Sequence, residues 1–373
     1  LCIAVALVRV AVADYTAPSL RSDVPLSEQL HREFDLSDGL PSVWINDVVQ
    51  TRDGYVWIAT DIGMVRYDGL HFRSFNRTNS PHLRSNELRV LFEVLEGSLW
   101  FGTLAGLARY RPGRPGTFEE VSAVLGKTIF TIWEDGANTL WIGTEEETWA
   151  KGPEQRFEIV EAAPTNVRAF CEDSNGQLWL GSHFGLYRRE GATYEQITHE
   201  RLPAHTSTVS GVPQSRVNSL LADDNGGLWI GANRALLHMQ DGQFTSRGRE
   251  LDSQQIYDIA RTRDGDLYVA ARFGVYRCVD DGPFDEVSSN QSALCVMEDR
   301  DGGLWIGHGD NRGLHCYRNS YAQAIWNEAP VRCISRDSAG NLWFGSNNGL
   351  HRLQDGVITD YGLDDGLPDA RVQ

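Results

Sequence analysis

Trp44, Asp61, His82, Arg84, His183, Arg234, Arg272, Asn311, Arg312, Trp326 and Asn347 fall in short polar stretches between more regular segments. Their types suit recognition of a small polar ligand. An indole face packs on C–H groups, while amide, guanidinium and imidazole nitrogens hydrogen-bond to hydroxyls. A carbohydrate such as an oligosaccharide meets both needs. Groups for covalent or acid–base chemistry do not gather. The histidines are scattered, and there is no H-E-x-x-H, no G-x-S-x-G and no phosphate loop. Acidic residues are plentiful, but sequence does not set the separation of any pair a glycosidase would use. No catalytic residue, metal ligand or cofactor is therefore expected. Asp173, Asp299 and Asp337 recur just before a turn glycine and are read as caps of that turn.

What positions the polar stretches is a repeat. An aromatic anchor in a short apolar string returns eight times, at Trp57, Trp100, Trp141, Trp179, Trp229, Tyr268, Trp305 and Trp343. The mean spacing is about 41 residues, the length of one propeller blade. Three residues before the anchor stands glycine in seven copies: Gly54, Gly97, Gly176, Gly226, Gly265, Gly302 and Gly340. Nine after it stands arginine in five: Arg66, Arg109, Arg188, Arg277 and Arg352. An alternating run before the anchor reads as strand a, the anchor string as strand b, and a run such as Leu186-Tyr-Arg-Arg as strand c. A Phe or Tyr segment reads as strand d, often after an Asp-Gly turn. The expected fold is an all-β propeller of four-stranded antiparallel blades, seven or eight in number. The anchors are core between blades, not ligand-stacking rings. The b–c loops and the d–a connections share one face, and that face carries the polar residues named above.

Ring closure leaves a trace. Leu30-His-Arg-Glu-Phe34-Asp-Leu-Ser-Asp-Gly39-Leu-Pro41 resembles Val357-Ile-Thr-Asp-Tyr361-Gly-Leu-Asp-Asp-Gly366-Leu-Pro368. Each reads as a d strand entering a new blade, and the first is placed to pair with the last blade. Repeats are expected over 29–363 in eight units, with a further unit starting at 364–373. The apolar run 1–13 ends in Ala11-Val12-Ala13 and reads as a truncated signal peptide, followed by a linker over 14–28. The chain is thus expected to be an exported, periplasmic or otherwise extracytoplasmic fragment.

The net charge of −17 argues against nucleic acid, which needs a basic face, and against an anionic membrane surface. Beyond Cys2, five cysteines remain with no C-x-x-C pair. They read as buried thiols rather than a disulfide framework or a zinc site, although one bridge among them is left open.

The unit Leu294-Cys-Val-Met-Glu-Asp-Arg-Asp-Gly-Gly-Leu-Trp305-Ile-Gly and the string Asp337-Ser-Ala-Gly-Asn-Leu-Trp343-Phe-Gly-Ser-Asn-Asn-Gly-Leu carry a resemblance. The chain resembles the two-component regulator propeller family, whose repeat has the form V-x-x-I-x-x-D-x-x-G-x-L-W-I-G-T-x-x-G-L-x-R-x-D-G. The third unit departs from it, with Glu145-Glu146-Glu147-Thr148-Trp149 in place of the Gly-Leu turn. The resemblance implies an extracytoplasmic sensor propeller, commonly one of two seven-bladed rings. It also implies a following membrane span and a cytoplasmic histidine kinase or diguanylate cyclase, with a homodimer for such a longer protein. It implies no enzyme within this segment. Two other functions compatible with a propeller are a lyase or glycosidase, and a protein-interaction scaffold.

Overall fold

The structure is a computed structural model. It describes residues 26–113, 118–197, 215–319 and 331–372, with Leu20 and Val24, apart from 224, 253, 281, 338–340, 355–356 and 370. The expected leader over 1–13, most of the linker over 14–28, and Trp326 lie outside the described residues.

Seven of the eight repeats each fold as one antiparallel sheet with strands a to d in chain order. In the first blade these are Ile45–Gln50, Val56–Thr60, Met64–Tyr67 and Phe72–Phe75. Blades two to six follow the same order, with a strands Leu88–Glu93, Ile129–Glu134, Val167–Glu172, Val217–Ala222 and Ile256–Arg261. The seventh blade supplies only Ala293–Glu298, Leu304–His308 and Leu314–Arg318 from its own repeat. Its fourth strand is Leu30–Phe34, with Leu30 opposite Arg318 and Phe34 opposite Leu314. Each a strand touches the next, and the seventh touches the first. The ring therefore closes at seven blades, locked by the segment around Phe34.

The eighth repeat lies in a second compact unit, Ser320–Gln373. Its sheet is Val331–Arg336, Leu342–Ser346, Leu350–Gln354 and Val357–Tyr361. Val357–Tyr361 is thus a d strand, as its likeness to Leu30–Phe34 predicts. Among the described residues no helix is long and apolar enough to cross a membrane.

The seven b strands of the ring are buried along their whole length, which is why both faces of each anchor string read apolar. Burying a side chain as large as Trp57 or Trp305 contributes about 3 kcal/mol, before conformational entropy is charged against it. A buried indole N–H still needs an acceptor. The repeat places one six residues upstream. Trp141, Trp179, Trp305 and Trp343 donate to Asp135, Asp173, Asp299 and Asp337 at 2.7–2.9 Å. The same carboxylates accept backbone N–H groups from the a–b turn, as from Asn175 and Gln177 to Asp173. Cap and indole acceptor are one residue, so these aspartates are structural. The Trp100 N–H, six residues after Val94, has no partner, and neither has that of Trp229, whose upstream Asp223 is engaged by His238 at 2.7 Å.

The turn itself requires a left-handed residue. Gly54, Gly97, Gly176, Gly226, Gly265 and Gly302 have φ between 73° and 98°, and in the third copy Asn138 takes φ 59°. Asparagine is the non-glycine residue that tolerates this region best. The arginine nine residues on lies opposite the anchor across the b–c pair and stacks on it, as Arg109 does on Trp100 at 5.2 Å. Cys171, Cys278, Cys295 and Cys316 are buried thiols and Cys333 is half-buried. Burial pushes the thiols of Cys171 up to about 11 and Cys316 up to about 12, so both stay protonated and inert.

Candidate ligand-binding site

The ladder decides where the loops go. Strand a begins opposite the end of strand b, as Ile45 opposite Thr60. Every b–c loop therefore emerges at the end of the ring where the a strands start. Main-chain bonds tie the two together: the His183, Asn233 and Arg272 N–H groups donate to the carbonyls of Asn166, Arg216 and Gln255.

At this end the a strands surround a cavity of about 360 Å³. The second residue of each a strand points into it: Asn46, Arg89, Phe130, Arg168, Asn218, Tyr257 and Leu294, one per blade. Trp44, Arg216 and Gln255 add to the wall from just before their strands. The volume matches a small-molecule site.

Three cations in one small cavity stand out in a chain of net charge −17. Arg89 pairs with Glu87 at 2.5 Å. Arg168 stacks on Phe130 at 4.1 Å, and its Nε is buried without a partner. Arg216 reaches Asn233 Oδ1 at 3.3 Å, and its Nε is likewise unpartnered. Burial, then the charges of Arg216 and Arg89, bring the Arg168 guanidinium down to about 10, still charged at neutral pH. Like charges held together in a partly dry wall are relieved by an anion. Two of the seven third a-strand positions hold half-buried carboxyls, Asp47 and Asp258. Asp47 is pushed up to about 7, by burial above all and then by Asp258, against hydrogen bonds from the Leu91 and Val48 N–H groups.

Of the residues expected to bind, Trp44 lines the cavity, its indole donating to Asn46 Oδ1 at 3.1 Å. Asp61, His183, Arg234, Arg272, Asn311 and Arg312 stand on b–c loops at the same end but outside the wall. Arg272 lies over Phe273 at 5.3 Å. His82 and Arg84 sit in the connection from the first blade to the second. His82 borders a separate cavity with Tyr55 and Tyr110, and Arg84 is paired with Glu120 at 2.6 Å. Asn347 belongs to the second unit, where it accepts from Arg332 Nε at 3.3 Å. The arginine set was missed because Arg89 and Arg168 lie on strand a and Arg216 directly before one, rather than on a b–c loop. A signal was present: the second a-strand position varies from Asn to Arg to Phe to Tyr while the first stays apolar.

The sequence model of the two component regulator propeller matches residues 39–61, 163–184, 211–234, 287–310 and 326–348. The chain carries repeats of this family. No curated protein sequence matches it. Among solved structures it is similar to the extracellular domain of a protein described as a hybrid two component system from B. thetaiotaomicron. That likeness has 20% identity and a TM-score of 0.67, and covers 90% of this chain and 49% of the other. A second such domain from B. thetaiotaomicron, described as a one component system, shares 22% identity with a TM-score of 0.65, covering 92% and 49%. The chain thus spans about half the length of these domains. Virginiamycin B lyase from Staphylococcus aureus matches at 11% identity and a TM-score of 0.62, covering 78% and 99%. At these identities the likenesses are of fold.

Proposed function

We propose that this chain is the ligand-sensing propeller region of an extracytoplasmic two-component-type receptor, and that its axial cavity binds a small polar ligand bearing an anionic group. Acidic sugars are the class that fits. The single observation behind the ligand class is the trio Arg89, Arg168 and Arg216 around one 360 Å³ cavity, two of them with buried, unpartnered Nε atoms. A guanidinium fork matches a carboxylate in two parallel hydrogen bonds, which is its strongest neutral-pH use. Trp44, Phe130 and Tyr257 offer ring faces for the C–H side of a pyranose, and Asn46 and Asn218 lie beside them for hydroxyls. The sensor role rests on the family repeats and on extracellular sensor domains of the same fold.

The test is thermal shift and calorimetry on the purified chain with di- and trigalacturonate, the matching neutral galactose oligomers, and inorganic phosphate. Galacturonates raise the melting temperature, neutral oligomers do not, and the paired change Arg168→Gln with Arg216→Gln removes the effect. If phosphate alone reproduces it, the anion need not be carried by a sugar. If no compound acts on the wild type, or the paired change leaves the response intact, the cavity is not the site. A ligand recovered with altered mass would move the protein to the enzymes.

A further inference from the structure

We propose that His31, Glu33 and His315 form a divalent transition-metal site that staples the ring-closing strand to the seventh blade. One ligand atom from each lies within 4.8 Å of the other two. His31 and Glu33 are two apart on Leu30–Phe34 and so share a face. Glu33 stands directly opposite His315, and His31 opposite Tyr317, across the antiparallel pair. The His31 ring is held flat against Tyr317, at 4.3 Å and 4° between planes. His31 Nε2 lies 3.9 Å from Glu33 Oε1.

His315 supplies the fixed half of the site. It is 3% exposed, and its Nε2 is buried with no hydrogen-bond partner. A hydrogen bond with the Arg312 main chain engages the ring, the usual way a ligating imidazole is oriented. A buried imidazole nitrogen without an acceptor or donor costs stability unless something binds it.

Ligands on a tetrahedral ion at about 2.1 Å stand roughly 3.4 Å apart, so the site closes by a rotamer adjustment. His31 and Glu33 can make it, since both reach solvent. Two imidazoles and one carboxylate select Zn²⁺, Ni²⁺ or Cu²⁺ over Ca²⁺ and Mg²⁺, with water completing the shell. The staple acts on a strand held along one edge only, whose own repeat lies at the far end of the ring. Binding to the folded ring alone stabilises it by linkage.

Calorimetry with ZnCl₂ on the chelator-stripped, tag-free chain tests this. One ion binds per chain, the melting temperature rises, and Co²⁺ gives the visible bands of a low-symmetry site. His31→Asn and Glu33→Gln, both at solvent-facing positions, keep the far-ultraviolet spectrum of the wild type and weaken Zn²⁺ by about tenfold or more. Absence of Zn²⁺ binding by the wild type up to millimolar concentration overturns the assignment. So does unchanged affinity in the double variant. Neither outcome bears on the arginine cavity, which holds no metal ligand set.

Discussion

Gly307, in strand b of the seventh blade, is shaped to receive Ile45, the first residue of strand a in the first blade. A Cβ added to Gly307 would stand 2.6 Å from Ile45 Cγ2 and 2.5 Å from Cys295 Sγ. The same contact recurs around the ring: Gly102 takes Ile129, Gly181 takes Val217 and Gly231 takes Ile256, while at Gly143 it is the Val167 main-chain carbonyl that comes close. Two blades have alanine instead, and there the partner is not β-branched. Ala59 clusters with Leu88, and Ala270 with Ala293. Glycine thus makes room for a branched Cβ, and the last of these contacts closes the circle. In the second unit the glycine of the eighth repeat, Gly345, receives Val372.

Gly307→Ala should cost about 1–3 kcal/mol through overpacking. Pairing it with Ile45→Ala recreates the Ala270–Ala293 arrangement. The double variant should lose less than the sum of the single changes, by about 1 kcal/mol or more in a denaturation cycle. Strict additivity would show that the two side chains do not meet.

Asp299 joins four groups. It accepts from the Asp301 and Gly303 N–H groups, from the Trp305 indole at 2.7 Å and from Arg318 at 2.5 Å. Its side chain is almost wholly buried, so Asp299→Ala strands several donors and should cost about 3 kcal/mol or more. Val94→Ala, in a blade that lacks the aspartate, should cost less, as packing alone is lost. Equal melting temperatures for the two variants would refute the role given to the carboxylate.

Asp47 and His308 give stability opposite pH slopes. The folded Asp47 carboxyl titrates near 7, above its unfolded value near 4, so the folded state holds the extra proton between these limits. Stability then falls as pH rises from about 4 to 7, by up to about 1.4 kcal/mol per unit, and is flat above. Asp258, raised by burial, adds the same sign. His308 is held down to about 3, by burial first and then by His315, so the unfolded state binds the extra proton. Its contribution is complete above about 6.5 and is lost as pH falls to about 3. Melting curves from pH 3 to 8 should show the falling limb reduced in Asp47→Asn. The acid loss should be reduced in His308→Thr, the residue other blades carry there, as at Thr60 and Thr103. Parallel profiles for wild type and variants would reject the assignment.

The cavity and the loops can be separated by affinity. Alanine at His183, Arg234 or Arg272 should change binding of an acidic sugar by less than about threefold, and alanine at Trp44 or Arg168 by about tenfold or more. The reverse order in calorimetry would move the site to the loop rim.

The sequence by itself determined the blade. Anchor, turn glycine, capping aspartate and stacking arginine are all local, within fifteen residues of one another, so their spacing is visible in one repeat and recurs along the chain. It also marked Leu30–Phe34 as a d strand, because the same string recurs at Val357–Tyr361. Only the tertiary structure decided that the ring closes at seven, since closure depends on whether Gly307 and the seventh c strand meet Ile45 and Leu30–Phe34, which are remote in the chain. The cavity was hidden for a related reason. Arg89, Arg168 and Arg216 belong to three different blades, remote in sequence, and become neighbours because a ring brings the start of every a strand to one axis. His31 and His315 are joined in the same way, by pairing between the two ends of the ring.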